Sequence, residues 1–241
     1  MAFNIQNTQS TLAFPFSVSL QRGLISNFSG IHKFGYNSAV GTSFETIWNN
    51  GGGFYTYPTT ATTAVATSSD TASDNGGTVE IQGLDSNYDL VTEIITIGGS
   101  ASTALFIRVF RTILKTATTG NVNVGTITIT VNAIGVSVIN PAYGQTLMCV
   151  YTVPRNHRAY LMSFDVGCSK QKEIEAKIMA RPINGNVFST KSYVTTFGVP
   201  YRQEYLVPEV FNEKTDIEVR AKADATCAVS AGFELFLEHI G

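Results

Sequence analysis

The feature that most constrains this chain is a two-residue alternation of apolar and polar side chains, repeated in short segments and cut by turn residues. In Asp216-Ile217-Glu218-Val219-Arg220-Ala221-Lys222 every second residue is apolar. Successive strand residues point to opposite faces, so such a segment is a half-buried β-strand. The spacing assigns Ile217, Val219 and Ala221 to a core and Asp216, Glu218, Arg220 and Lys222 to water. Thr126-Ile127-Thr128-Ile129-Thr130-Val131 repeats the pattern with β-branched residues, which suit a pleated, half-buried surface. Ala231, Phe233, Leu235 and Leu237 form a third stripe, with Glu234 and Glu238 opposite.

Further strands are predicted at 78–83, 91–97, 105–114, 146–153, 158–167 and 187–195. Residues 172–180 carry good helix formers, and Glu173 and Lys177 have helical i, i+4 spacing. They also alternate cleanly, and with Pro182 close behind they are assigned to a strand. Turn clusters separate the strands: residues 49–53, 74–77, 140–141 and 184–186. Asn184-Gly185 suits a two-residue hairpin turn, because Asn and Gly accept positive φ. Residues 59–78 are rich in Thr and Ser with little large apolar content and read as an exposed or loosely packed loop. The predicted fold is all-β: an antiparallel sandwich of jelly-roll type.

The 241 residues are 44% hydrophobic, enough for one large β domain or two small ones. Only 14% are charged, against roughly 25% in ordinary soluble domains. Ser, Thr, Asn and Gly must then provide solubility, or subunit contacts must cover much of the surface. Residues 151–241 hold eleven of the 16 basic and eleven of the 18 acidic residues, so the charge density changes near Ile139 to Pro141. That shift divides the chain into an extended N-terminal arm at 1–34, a first β subdomain at 35–139 and a second β-sandwich at 140–241.

Several function classes lose support. The net charge of −2 provides no basic footprint for a polyanion, so no direct nucleic-acid contact is expected. No run of about 18 apolar residues exists, so no membrane span is expected. The N-terminus lacks Lys and Arg and does not read as a secretory signal. Cys149, Cys168 and Cys227 are odd in number and widely spaced, which suits free thiols in a chain made in a reducing cytoplasm. Neither a Gly-x-Ser-x-Gly elbow nor a phosphate loop occurs, and His32, His157 and His239 are far apart. Asp70 with Asp74, and Asp85 with Asp89, lack the spacing of a calcium loop and read as surface turns. The expectation is a protein that is not an enzyme, with no cofactor and no metal.

Two groups of aromatic residues are candidates for contact surfaces: Phe14 and Phe16 in the arm, and Trp48, Phe54, Tyr55 and Tyr57 around the Gly-rich turn. Large aromatic rings fill the end of a sandwich or a subunit interface. Exposed, the second group would also suit stacking on sugar rings.

The run Lys33-Phe34-Gly35-Tyr36-Asn37, then Phe44-Glu45-Thr46-Ile47-Trp48 and residues 53–58, resembles the opening of a family of virion structural proteins in marine and cyanobacterial tailed phages. The likeness continues through Val79-Glu80-Ile81-Gln82-Gly83-Leu84-Asp85, Glu93-Ile94-Ile95-Thr96-Ile97-Gly98-Gly99 and Tyr151-Thr152-Val153-Pro154. It ends at Lys214-Thr215-Asp216-Ile217-Glu218 and Ala231-Gly232-Phe233, keeping order over about 20–240. The resemblance implies a particle component and supplies no catalytic residue. The leading expectation is a capsid decoration or cement protein on the outer shell, a homotrimer or other homo-oligomer that contacts the major capsid protein or other virion proteins. A tail, neck or fibre-base component and a glycan-binding attachment module are the alternatives.

Overall fold

A computed structural model describes residues 16–241. In chain order the elements are α1 (Phe16–Gln21), β1 (Phe28–Val40), β2 (Glu45–Thr46), β3 (Thr62–Ser68), α2 (Thr71–Asp74), β4 (Thr78–Leu84), β5 (Leu90–Thr96), β6 (Leu105–Phe106), β7 (Arg108–Thr116), β8 (Ile127–Val131), β9 (Ile134–Ile139), β10 (Val150–Thr152), β11 (His157–Cys168), β12 (Glu173–Arg181), β13 (Ser189–Phe197), β14 (Tyr201–Phe211), β15 (Asp216–Ala223) and β16 (Cys227–His239). Every ladder is antiparallel. The fold is all-β, as the alternation predicts.

The strands form four sheets around two cores. One core lies between the sheet β1-β16-β11-β14 and the sheet β10-β15-β12-β13, to which β2 adds beside β15. Its centre includes Phe164, Phe233, Leu161, Leu235, Ile178 and Val219. The second core lies between β6-β3-β8-β9 and β5-β4-β7, and includes Phe106, Ile81, Ile97, Ile127 and Ile129.

Strand pairing does not follow the chain blocks 35–139 and 140–241. Phe28 to Val40 pairs with β16, and Glu45 and Thr46 pair with β15, so the first two strands complete the C-terminal sandwich. Residues 28–34, expected in an extended arm, are part of that ladder. Segments 47–61 and 140–149 carry the chain out to the second core and back. They run side by side: Trp48 bridges to Met148, and the Cys149 N–H donates to the Ile47 carbonyl at 2.9 Å. Composition tracked the return crossing near residue 140. It could not show the outward crossing near 47, because β-pairing partners are set by sheet geometry and not by chain order.

The inward stripes match the alternation. Ile127, Ile129 and Val131 are buried, as are Ala231, Phe233, Leu235 and Leu237. Residues 173–181 form β12, the strand assignment made above. Two local expectations fail. Residues 59–78 are not an exposed loop: they contain β3, whose Ala64 and Ala66 are fully buried, followed by α2. With alanine at the inward positions, the apolar contrast is too small for a period-2 pattern to stand out. Asn184-Gly185 is not a two-residue hairpin turn either. Residues 182–188 connect β12 to β13, and the Gly185 N–H donates to the Pro182 carbonyl at 2.8 Å, so proline starts the turn.

The acidic turns are structural clips. Asp70 caps α2 by accepting from the Ser73 N–H at 3.0 Å. The buried Asp74 carboxylate accepts from the Val124 and Gly125 N–H groups, each at 2.8 Å, and from the Ser68 hydroxyl at 2.6 Å. Burial alone would raise its pKa, but these hydrogen bonds outweigh that and hold it below the ordinary 3.8. Asp74→Ala removes all three acceptor contacts and is expected to cost about 2 kcal/mol in urea unfolding. Because the folded pKa is depressed, the contribution is complete above pH 3.8 and is lost as pH falls through the folded value. The variant is therefore expected to lose less stability than wild type on acidification. Asp85 similarly accepts from the Asn87 and Asp89 N–H groups, and Asp89 binds Arg155 through both oxygens at 2.7 and 2.9 Å.

Candidate functional site

Two surfaces stand out once the sandwiches are in place. One is a charged seam inside the chain; the other is an apolar wall outside it.

The seam covers the outer face of β15, the face that alternation assigned to water. Asp216 is 3% exposed and Glu218 is fully buried, so that assignment is corrected for both. The second sandwich and the segment leading to it lie over this face. Arg108 of β7 forms a paired contact with the Asp216 carboxylate at 2.8 and 3.1 Å, and its remaining nitrogen donates to the carbonyls of Pro58 and Ile107. Arg181 of β12 reaches the same carboxylate at 2.7 Å, and the Thr152 hydroxyl donates to it at 2.7 Å. Glu218 pairs with Arg220 and accepts from the Tyr57 hydroxyl at 3.1 Å. Burial pushes the Glu218 carboxyl above its ordinary range, against the opposing pull of Arg220, Tyr57 and Thr46.

Aromatic rings fill the space between these charges. The Arg181 guanidinium lies 4.8 Å from the Tyr57 ring and 4.7 Å from Phe188, and Arg220 lies 3.9 Å from Phe54. A planar guanidinium satisfies carboxylates at its edge while its face packs on a ring, which lets one layer be charged and closely packed at once.

Three of the four aromatics around the Gly-rich turn are therefore used inside the chain. Trp48, Tyr55 and Tyr57 are buried in successive edge-on contacts, with centroids 5.0 and 4.8 Å apart. Phe54 keeps an exposed edge. The Gly-rich turn has a local explanation as well. Gly51, Gly52 and Gly53 all have positive φ, and the buried Glu45 carboxylate accepts from the Gly52 N–H at 2.7 Å, the Gly41 N–H at 2.8 Å and the Asn37 amide at 2.8 Å. A carboxylate of the chain itself thus occupies the place where a Gly-rich turn could hold an anion. Of the arm candidates, Phe16 begins α1, is exposed, and packs at 5.3 Å on Phe236 of β16; Phe14 lies outside the described residues.

The apolar wall runs along the side of the first sandwich where the edge strands β13 and β14 face each other. Lys191 pairs with Glu209 at 2.7 Å and the Tyr205 hydroxyl donates to Ser192 at 2.7 Å, lacing the two sheets together. Leu206 is fully exposed and Val207 beside it is open to solvent; Tyr193 and Phe197 are exposed on the outer face of β13, Val210 on the outer face of β14, and Val199 in the turn between the strands. The cause of the most extreme exposure is local. The ladder between β11 and β14 runs from Ser163 opposite Glu204 to Leu161 opposite Glu209, so residues 205–208 bulge against Met162 alone. The bulge turns Leu206 and Val207 outward, and Pro208 lacks the N–H that an added strand would need. The edge is thus protected from strand pairing while its side chains offer apolar area. Sequence reasoning missed this wall: residues 201–211 carry no clean alternation, because the bulge shifts its phase.

The histidines do not form a catalytic group. His32 lies 3.6 Å from Glu234 on the outer face of β1 and β16, while His157 and His239 meet edge-on across β11 and β16 with ring centroids 5.0 Å apart. Two shallow clefts adjoin Thr42, one lined by Glu173, Glu175, Lys222 and Asp224, the other by Phe44, Glu45, Gly52 and Gly53. Among the described residues no helix is long and apolar enough to cross a membrane.

No protein-family model and no curated protein matches the chain. Solved structures with some likeness include the infectious bursal disease virus Gt strain, at 12% identity and a TM-score of 0.24, covering 94% of this chain and 78% of that one. The VP2 subviral particle of the same virus has 10% identity and a TM-score of 0.20, covering 95% and 83%. Likeness at this level carries no argument about fold or function.

Proposed function

We propose that this protein is a non-enzymatic structural subunit of a phage particle that acts by packing against copies of itself and neighbouring virion proteins. The observation that carries the reading is the apolar wall of β13 and β14. Leu206 and Val207 lie open on the bulge of β14, beside a Lys191–Glu209 pair and a Tyr205–Ser192 hydrogen bond that are already matched. Burying them against a second copy brings the hydrophobic gain without breaking an ion pair. The low charge content and the ordered sequence resemblance to phage virion proteins support the same reading. Phe16 and Phe54, exposed at other places on the surface, are further contact candidates.

Within that class we favour an outer capsid decoration or cement protein. A clamp that binds only the mature shell stabilises it by mass action, and many weak contacts on one lattice supply affinity that each lacks alone. The decisive measurement is the copy number relative to the major capsid protein in purified particles. A ratio near one, or a simple fraction of it, supports decoration; a few per cent moves the protein to the tail, neck or a fibre base. For the wall itself, Leu206→Glu combined with Val207→Glu is expected to shift sedimentation from oligomer to monomer while leaving the thermal unfolding of the monomer unchanged. Oligomers that persist in the double variant would overturn the assignment of the wall.

A further inference from the structure

We propose that Cys168 and Cys227 form a modification site, a thiol pair at one rim of the first sandwich that a small organic disulfide converts into an intramolecular disulfide. Cys168 is the last residue of β11 and Cys227 is the first of β16. In the ladder between these strands Cys168 stands opposite the inward-facing, fully buried Val229. Cys227 lies two residues from Val229 on the same face of β16, so both thiols point to the same end of the same core, and both pack against it. The Cys168 thiol donates to the Lys170 carbonyl at 2.8 Å, and it acts on the Cys227 thiol as an electrostatic neighbour. Cys168 is the last residue of the regular ladder, and a bend begins at Ser169.

The two thiols differ in the way the reaction needs. Cys168 is half-buried and reachable by a small reagent, whereas Cys227 is buried. The Cys168 thiolate attacks one sulfur of the reagent disulfide; the reagent S–S bond breaks and one thiol leaves, giving a mixed disulfide on Cys168. The Cys227 thiolate then attacks the Cys168 sulfur, the mixed disulfide breaks, and the second reagent thiol leaves. Two protein thiols are oxidised, one reagent disulfide is reduced to two thiols, and the two protons given up by the cysteines end on those thiols. Burial, with Cys168 and Asp224 adding to it, pushes the Cys227 thiol above its ordinary value of 9.0, so the closing step accelerates with pH. Cys149 is enclosed elsewhere in the core, its thiol turned to the Ala231 carbonyl at 2.9 Å, and takes no part. The bond would enclose residues 169–226, and with them the strands that carry the apolar wall.

The test is incubation of the full native chain with oxidised glutathione, followed by denaturation, blocking of free thiols, intact mass and peptide mapping. The expected result is loss of two hydrogens and a 168–227 linked peptide, unchanged in Cys149→Ser. Cys227→Ser is expected to stop at a glutathione adduct on Cys168. Oxidation is expected to raise the melting temperature by about 10 °C, because the bond restricts a long loop of the unfolded chain. A stable adduct on Cys168 in the wild type, a linkage through Cys149 or between chains, or no modification would each overturn the proposal.

Discussion

Replacing Asp216 by alanine is expected to destabilise the protein by about 3–5 kcal/mol, among the largest effects of any single surface-patterned position in the chain. Asp216 is the shared acceptor of Arg108 and Arg181, and it also receives the Thr152 hydroxyl. Its removal leaves the Arg108 guanidinium, itself buried, with the Pro58 and Ile107 carbonyls and the Tyr57 and Tyr88 rings but no counter-charge. An unpaired charge in a closed seam between two cores costs more than the pair contributed. The measurement is equilibrium urea unfolding. A companion variant makes the test specific. Arg108→Met, Arg181→Met and Asp216→Leu together remove the charges instead of stranding them, so the triple variant is expected to lie well above Asp216→Ala in stability. If the single variant is as stable as wild type, the seam does not hold the two sandwiches together. A triple variant no better than the single one would mean that shape, not charge, sets the cost.

Lys33→Met is expected to stabilise the protein at neutral and mildly acidic pH and to flatten its pH profile. Lys33 lies on the inward face of β1, opposite Phe233, and donates to the Phe110 carbonyl. Burial, with Arg111 adding to it and Cys149 opposing, lowers its pKa from 10.5 to about 7. The unfolded chain therefore holds a proton between about pH 7 and pH 10.5 that the folded chain has released. Stability rises with pH wherever the unfolded state binds more protons, so this residue adds up to about 1.4 kcal/mol per pH unit across that window. Below it, both states are protonated and the full cost of the buried charge remains. Methionine has similar length and no charge, at the expense of one carbonyl left without its donor, a cost of about 1 kcal/mol. The difference in unfolding free energy between variant and wild type is expected to be largest near pH 6 and to shrink toward pH 10. Parallel profiles would show that Lys33 is neutralised by some means other than burial.

Most strands were legible in the sequence, and so was the turn-rich, low-charge character of the chain. Period-2 stripes such as 127–131 and 231–237 name their own inward faces, because strand geometry leaves only two faces to choose between. Alternation alone could not show what lies beyond the second face. It marked Asp216 and Glu218 as polar positions of β15, which they are, but water and a second sandwich look the same from a single strand. Trp48, Tyr55 and Tyr57 read as candidates for a contact surface; the structure buries all three in the body of their own chain. The Thr-rich stretch hid β3 because alanine, chosen for close packing, carries almost no hydropathy signal.

The sequence by itself determined the class of element, most of the strand positions and the facing of their side chains, since these follow from local backbone geometry. Only the tertiary structure decided that β1 and β2 close the C-terminal sandwich, that a charged strand face becomes an internal seam, and that β14 bulges to turn Leu206 and Val207 outward. Each of those depends on which distant strand pairs beside which, and pairing is settled by the burial of whole sheets rather than by any one segment.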